Sequence, residues 1–490
     1  MENTESITRR GFMGTMGAMG AALANAGIAL ADNAAVGIPA DKALGTAEQI
    51  TDPALEALGR STMSLDELNR RRQELVDSKT EDYVCADGTV IPNVYVKLRT
   101  LANTYGIGMG SDLTDTCFGF WMRFFNEDEA QAYLEMPKGV FFNALDFAAE
   151  SGRPVEECAE LLDTLAMRGM MFRAVHAGQK IYRQIPFLQG SCEYSMPDVA
   201  TDARGYLMNM GTAITDAAND CFMYSGTSFY RAIPCDRSVV TDGEIHPYDD
   251  WEAIINSKEN FALAACYCKT CNAYAAGQDV PDFCTPEISE ATLDACGHPL
   301  ETCLVLGDEA DYFVETGVAR PITKEEALAV IRNNAQAGFM IESYYSKTSE
   351  VICSCHVECC GHLKFHKALP PEVYAESNLR PHVSHYELNY DKEACIQCGA
   401  CVERCPMQCI TLDDEGYPQV DAHCFRCGQC GGSGFEDCLG GRHARDVAGP
   451  RPGRRGAGRE PEKRHSRGGH RAPDHRGGAR HRGRLSRRSL

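Results

Sequence analysis

The chain has 490 residues, 44% of them hydrophobic and 24% charged, enough for cores in about two to four domains, which excludes a chain disordered throughout. Its formal charge of −21 hides a split, because residues 442–490 hold 16 of the 48 Lys and Arg but 4 of the 69 acids. The strongly acidic remainder disfavours nucleic acid and anionic membrane and suits a basic redox or protein partner.

The first predicted element, residues 1–31, opens with Arg9-Arg10-Gly11-Phe12-Met13-Gly14, continues as a Gly- and Ala-rich apolar run, and ends on the small-residue pattern Ala29-Leu30-Ala31. It resembles a twin-arginine export signal; the plainer reading is an apolar helix that follows two arginines. The resemblance implies a protein folded in the reducing cytoplasm and then exported across the cytoplasmic membrane to the periplasm or cell envelope. Cysteines in such a chain fill with metal more readily than they form disulfides. Past this segment no apolar run of about 18 or more residues occurs, so no membrane span is expected.

Residues 32–126 form a mixed region, with a helix expected over Leu65–Val76, a β-like stretch over Thr89–Val96 and an aromatic group at Phe118–Phe125. In residues 127–186, helical spacing runs over Glu127–Leu134, Val140–Ala149 and Val155–Met167, and alternation over Met170–Val175 and Lys180–Ile185 flanks a His176-Ala177-Gly178-Gln179 turn. Three helices and a two-stranded wing resemble a winged-helix domain. Its third helix carries Glu156, Glu157, Glu160 and Asp163, which phosphate would repel, so a packing or protein-contact role is expected rather than DNA binding. Residues 187–262 read as mainly helical, with a helix start at Asp249-Asp250-Trp251.

Of 25 cysteines, 18 lie between Cys266 and Cys430. In the cysteine-rich centre, residues 263–367, the candidate ligands are Cys266, Cys268, Cys271, Cys296, Cys303, Cys353, Cys355, Cys359 and Cys360. Soft thiolates so close together select an iron–sulfur cluster or zinc, and the spacing matches no standard zinc finger. An amphipathic helix over Ile322–Ala337 is expected to bring the two cysteine groups together.

Residues 386–434 carry the strongest signal. Cys395-x-x-Cys398-x-x-Cys401-x-x-x-Cys405-Pro406 matches the bacterial ferredoxin run, and Cys424-x-x-Cys427-x-x-Cys430 follows. Three cysteines on a tight loop hold three irons of a cubane, and the fourth reaches across to the other cluster. Cys405 should therefore complete the second 4Fe-4S cluster with Cys424, Cys427 and Cys430. The first cluster needs a cysteine four residues past Cys430, where Gly434 stands; Cys438 or Cys409 is the candidate replacement, or the cluster is incomplete. Residues 435–490 turn basic, with no Phe, Tyr, Trp, Ile or Met from Arg442 onward, as a frameshifted or disordered tail would.

Taken together, the expected fold class is α+β multidomain, with a winged-helix-like module, a cysteine-rich centre and a C-terminal ferredoxin-like (βαβ-type) domain. Residues 127–430 resemble a family of uncharacterised winged-helix/4Fe-4S proteins of anaerobes, which implies redox work without naming a substrate. The expected function is electron transfer through 4Fe-4S clusters to a redox protein partner. One alternative is a terminal reductase with its site in the cysteine-rich centre. It resembles a reductive dehalogenase in its leader and paired C-terminal motifs, but departs from that family at Cys424–Cys430. The other is a redox-sensing winged-helix binding protein.

Overall fold

In the computed structural model, residues 64–105, 113–115, 117–196, 230–234, 247–276, 294, 296–344, 349–368, 370–376, 383–388, 390, 392–393, 395–431 and 449–450 are described. Among them the organising element is a six-stranded sheet, because strands apolar on both faces need cover on both sides. Across it run Tyr230–Ile233, Met340–Tyr344, Val351–Cys355, Glu301–Leu306, Phe261–Ala265 and Ala319–Pro321, all neighbours antiparallel. Residues alternate between its faces. Ile341, Ile352, Leu304 and Leu306 pack on Trp251, Ile254, Ala327 and Ile331, from the helices Trp251–Asn256 and Lys324–Gln336. The opposite face carries Glu342, Cys353, Cys355 and Cys303, with Glu342 directly across from Cys353.

The expected role of the helix over Ile322–Ala337 is corrected here. The helix starts at Lys324 behind a Thr323–Glu326 capping box, but Ala327, Ile331 and Ala335 bury it against the face away from the cysteines. Strands, not this helix, bring the cysteine groups together. The described part of residues 187–262 holds the helical stretches Phe187–Ser191, Cys192–Tyr194, Pro247–Asp249 and Trp251–Asn256, and also the strand Tyr230–Ile233 and the start of the strand Phe261–Ala265, where buried pairing overrides the helix-compatible alanines.

Toward the N-terminus, Leu65–Asp77 is a helix capped by Ser64. The β-like reading of Thr89–Val96 holds only for Val90–Ile91; Asn93–Ala102 is a helix that begins behind Pro92 and buries Tyr95, Leu98 and Ala102 at helical spacing. The helices Glu127–Glu135 and Val155–Met167 lie where expected. The one between them starts at Ala144 rather than Val140, because Asn143 and Asp146 form a capping box there, and Phe142 instead bridges Tyr182. The hairpin Met171–His176/Gln179–Gln184 turns through Ala177 and Gly178, both at positive φ, as a type I′ turn requires.

This helix–hairpin module docks on the sheet's helix Asp308–Glu315. The Tyr312 hydroxyl donates to Ala166 O at 2.6 Å, and the buried Arg173 pairs with Asp163 and Glu315, each at 2.5 Å. Buried Glu309 accepts from the Tyr194 hydroxyl at 2.7 Å, and burial pushes its carboxyl up to about 7. A carboxyl raised in the fold binds a proton that the unfolded chain has released. Its contribution is therefore intact below the ordinary 4.5 and declines as pH rises toward about 7. Glu309→Gln should remove about 3 kcal/mol of that decline in urea unfolding. Identical pH slopes in the two proteins would refute it.

No helix among the described residues is long and apolar enough to cross a membrane.

Candidate iron–sulfur and metal sites

Two loops in residues 395–431 repeat the same backbone. In Cys395-Ile396-Gln397-Cys398-Gly399, Gln397 and Gly399 have φ of 59° and 75°; in Cys424-Phe425-Arg426-Cys427-Gly428, Arg426 and Gly428 have φ of 56° and 76°. In each, the N–H two residues on donates to the first sulfur at 3.4 Å, Gln397 to Cys395 and Arg426 to Cys424. Positive φ at a glutamine and an arginine costs energy, on the order of 1 kcal/mol each, and wraps the chain around a centre to which sulfurs and N–H groups converge. That donor set suits an iron–sulfur cluster, which takes thiolates and N–H donors to its sulfurs.

The two loops differ in depth. Cys405, Cys424, Cys427 and Cys430 line one small pocket, the second set of four expected above, and Cys409 lines it too. Cys409 lies 3.5 Å from Cys405, and hydrogen bonds to Cys405 and Cys424 push its thiol far up. Cys409 is thus turned to the second site and is not the missing ligand of the first; Cys438 lies outside the described residues. Cys398 is exposed, Cys395 and Cys401 are partly so, and Tyr390 is hydrogen-bonded to Cys395. Gly399 and Gly428 each precede a short helical turn, Ala400–Glu403 and Gln429–Gly431, and the hairpin Ile410–Leu412/Pro418–Val420 joins the loops. Arg404 ties this segment to the sheet by donating to Gln429 and to the carbonyls of Ala335 and Gln336, at the negative end of the helix Lys324–Gln336.

The nine central candidates separate into two groups. Six form a connected chain of sulfurs, buried or half-buried, from Cys266 to Cys268, Cys360, Cys355, Cys353 and Cys303. The chain exists because Cys303, Cys353 and Cys355 share a sheet face, while Cys266 and Cys268 open the helix Tyr267–Ala275 and Cys360 precedes the helix Gly361–Ala368. Hydrogen bonds from Cys303 and Cys355 hold the Cys353 thiol well below its usual value, those from Cys268 and Cys355 do the same to Cys360, and Tyr230 lies 3.6 Å from Cys353. Cys271 stands beside them, hydrogen-bonded to Tyr267. Glu342, fully buried, falls within ligand reach of Cys355 and Cys360; neither of its oxygens has a hydrogen-bond partner among the described residues, and His362 Nδ1 is 3.3 Å away. Thiols and a carboxylate so placed are the donors expected for an iron–sulfur cluster or zinc.

Cys296 and Cys359 point elsewhere. Cys296 is exposed and donates to Glu358 O at 3.5 Å. Cys359 lies within ligand reach of Asp294 and His298, and His298 also lies within reach of His356 and Glu358. Burial keeps both imidazoles below their usual value and pushes the Cys359 thiol up.

Between the sulfur chain and the second loop stands a row of rings. His362 and His366 face each other with Nε2 atoms 3.1 Å apart, and His366 lies 4.8 Å, centroid to centroid, from Phe425, which follows Cys424. Burial holds His366 well below the usual imidazole value, so it is neutral. Val357 N donates to Pro406 O at 2.8 Å, pinning the two segments directly.

Reasoning from cysteine spacing passed over Glu342, Asp294, His298, His356 and Glu358. An acid inside the apolar strand Met340–Tyr344, and histidines within three residues of cysteines at His298 and His356, were the available signals. Residues 388–411 match the family described as 4Fe-4S binding domain, a stretch that includes Cys395, Cys398, Cys401 and Cys405. No curated protein matches the chain, and no solved structure does. The C-terminal segment, on its match and its cysteine loops, is an iron–sulfur binding segment.

Proposed function

We propose that this chain is an electron-transfer protein that passes single electrons through two 4Fe-4S clusters, one on Cys395, Cys398 and Cys401 with a fourth ligand still to be identified, the other on Cys405, Cys424, Cys427 and Cys430. The observation that carries the reading is the repeated loop, with the same positive φ values and the same N–H to sulfur contact. The exposed Cys398 side suits contact with a redox partner, and the buried second loop suits transfer inward. Residues 127–186 read as winged-helix-like from their helix, bridge, helix, helix, hairpin order, in a role of packing rather than DNA contact. Export by the twin-arginine route belongs to the same proposal, with the cofactors loaded before transport.

A second reading has its own support. The connected sulfurs of Cys266, Cys268, Cys303, Cys353, Cys355 and Cys360 form a third cluster or zinc site, and the rings of His362, His366 and Phe425 lead to it from the second loop. An internal redox centre at that place would make the chain a terminal reductase. Iron, sulfide and zinc analysis of anaerobically purified protein tests both readings. About eight irons with matching sulfide are expected from the ferredoxin segment, and about twelve if the centre also holds a cubane. Zinc without labile sulfide would overturn the electron-transfer reading.

A further inference from the structure

Beside the sulfur chain, and independent of it, a second set of donors converges. Asp294 Oδ1 accepts from the N–H groups of Cys296 and His298 at 2.8 and 2.9 Å, which fixes the carboxylate and turns Oδ2 inward. The Asp294 side chain is completely buried, and Oδ2 has no hydrogen-bond partner among the described residues. His298 Nδ1 is likewise without a hydrogen bond and stands 3.8 Å from Oδ2. Cys359 Sγ completes the group, the three ligand atoms all lying within 4.8 Å of one another. A buried carboxylate oxygen is strongly destabilising unless a proton, a hydrogen-bond donor or a cation meets it.

The other nitrogen of His298 supplies the second argument. Nε2 faces Glu358 Oε2 at 3.6 Å, and the same oxygen lies 3.4 Å from His356 Nδ1, while Glu358 Oε1 accepts from Gln408 at 3.0 Å. A histidine that ligates a metal through one nitrogen characteristically points the other N–H at a carboxylate, which fixes tautomer and ring orientation. The charges also balance. A divalent cation and the buried Lys269, which donates to Thr302 Oγ1 at 2.9 Å, meet three anions in Asp294, Glu358 and the Cys359 thiolate.

We propose that Asp294, His298 and Cys359 bind one zinc-like divalent cation, oriented by Glu358 and separate from the iron–sulfur sites. One oxygen, one imidazole nitrogen and one thiolate form a borderline-soft set that suits zinc over magnesium or calcium, and three protein donors leave a fourth position to water. The ion would clamp the turn 294–298 to the turn 356–360, whose next cysteine, Cys360, belongs to the sulfur chain.

The test is zinc, iron and sulfide content of the full-length, anaerobically purified chain and of its variants. The intact protein should carry one zinc that Asp294→Asn, His298→Ala and Cys359→Ser each lose, with iron and sulfide unchanged, while Cys296→Ser keeps it. Loaded with cobalt(II), the site should show a thiolate-to-cobalt band that Cys359→Ser abolishes. Glu358→Gln alters an exposed side chain and should keep the fold and the ion, but weaken zinc by about 10- to 100-fold in competition with a chelator. Zinc content equal to that of the intact protein in all three ligand variants, or unaltered affinity in Glu358→Gln, overturns the assignment.

Discussion

Replacing Cys405 with Ser should remove about four irons per chain, and they should be the irons held with Cys424, Cys427 and Cys430, although Cys405 closes the first sequence motif. The expectation follows from the pocket that Cys405 shares with those three cysteines, and from the hydrogen bond that ties its sulfur to Cys409 inside it. Cys398→Ser strikes the exposed first loop and should cost a different set of irons. The two losses should therefore add in the double variant, as independent sites do. If the double variant loses no more iron than either single one, both cysteines serve one cluster and the interlocked arrangement is wrong. Cys409→Ser should retain the cluster, since Cys405, Cys424, Cys427 and Cys430 already supply four thiolates.

The second large effect concerns stability. Arg231, 1% exposed, lies on the first strand of the sheet and donates through Nε to Asp249 at 2.9 Å, and also donates to the carbonyls of Tyr344 and Tyr248. His385 Nδ1 meets the same carboxylate at 2.8 Å. Burial works to raise the Asp249 carboxyl, but the hydrogen bonds of His385 and Arg231 outweigh it and hold it below the ordinary 3.8. Asp249→Asn leaves the guanidinium buried without its counter-ion and should cost about 3–5 kcal/mol of unfolding free energy. Because the carboxyl is lowered in the fold, its contribution is complete above the ordinary value and fades as pH falls through the lower folded one. Denaturant unfolding followed by circular dichroism measures both effects, and a loss under about 1 kcal/mol would mean that water reaches Arg231.

Local elements were legible where a local rule was read: the helix after Asn126 starts as expected, and the Ala177-Gly178 turn sets the hairpin register. The capping boxes at Asn143 and Thr323 start their helices at Ala144 and Lys324, later than apolar spacing alone suggested. Where a tertiary partner decides, the reading went astray. Val94 and Val96 suggest strand but sit in a helix because Tyr95, Leu98 and Ala102 find their core at helical spacing. Phe142 leaves its expected helix because Tyr182 offers it a backbone partner.

The same division holds for the sites. Cysteine spacing by itself identified the two C-x-x-C-x-x-C loops, since a tight loop around a cluster needs its donors close in sequence. Spacing says nothing about donors that meet across strands. Cys303 lies far in sequence from Cys353, and Glu342 comes from a third strand; antiparallel register alone sets Glu342 opposite Cys353 and both on the sulfur-bearing face. Register likewise sends the helix Lys324–Gln336 to the other face, where its apolar stripe is buried. The sequence thus determined which residues could be soft ligands. The sheet, by alternating its side chains and joining distant segments, decided that six of the nine central cysteines join in a chain of sulfurs while Cys359 meets Asp294 and His298 instead.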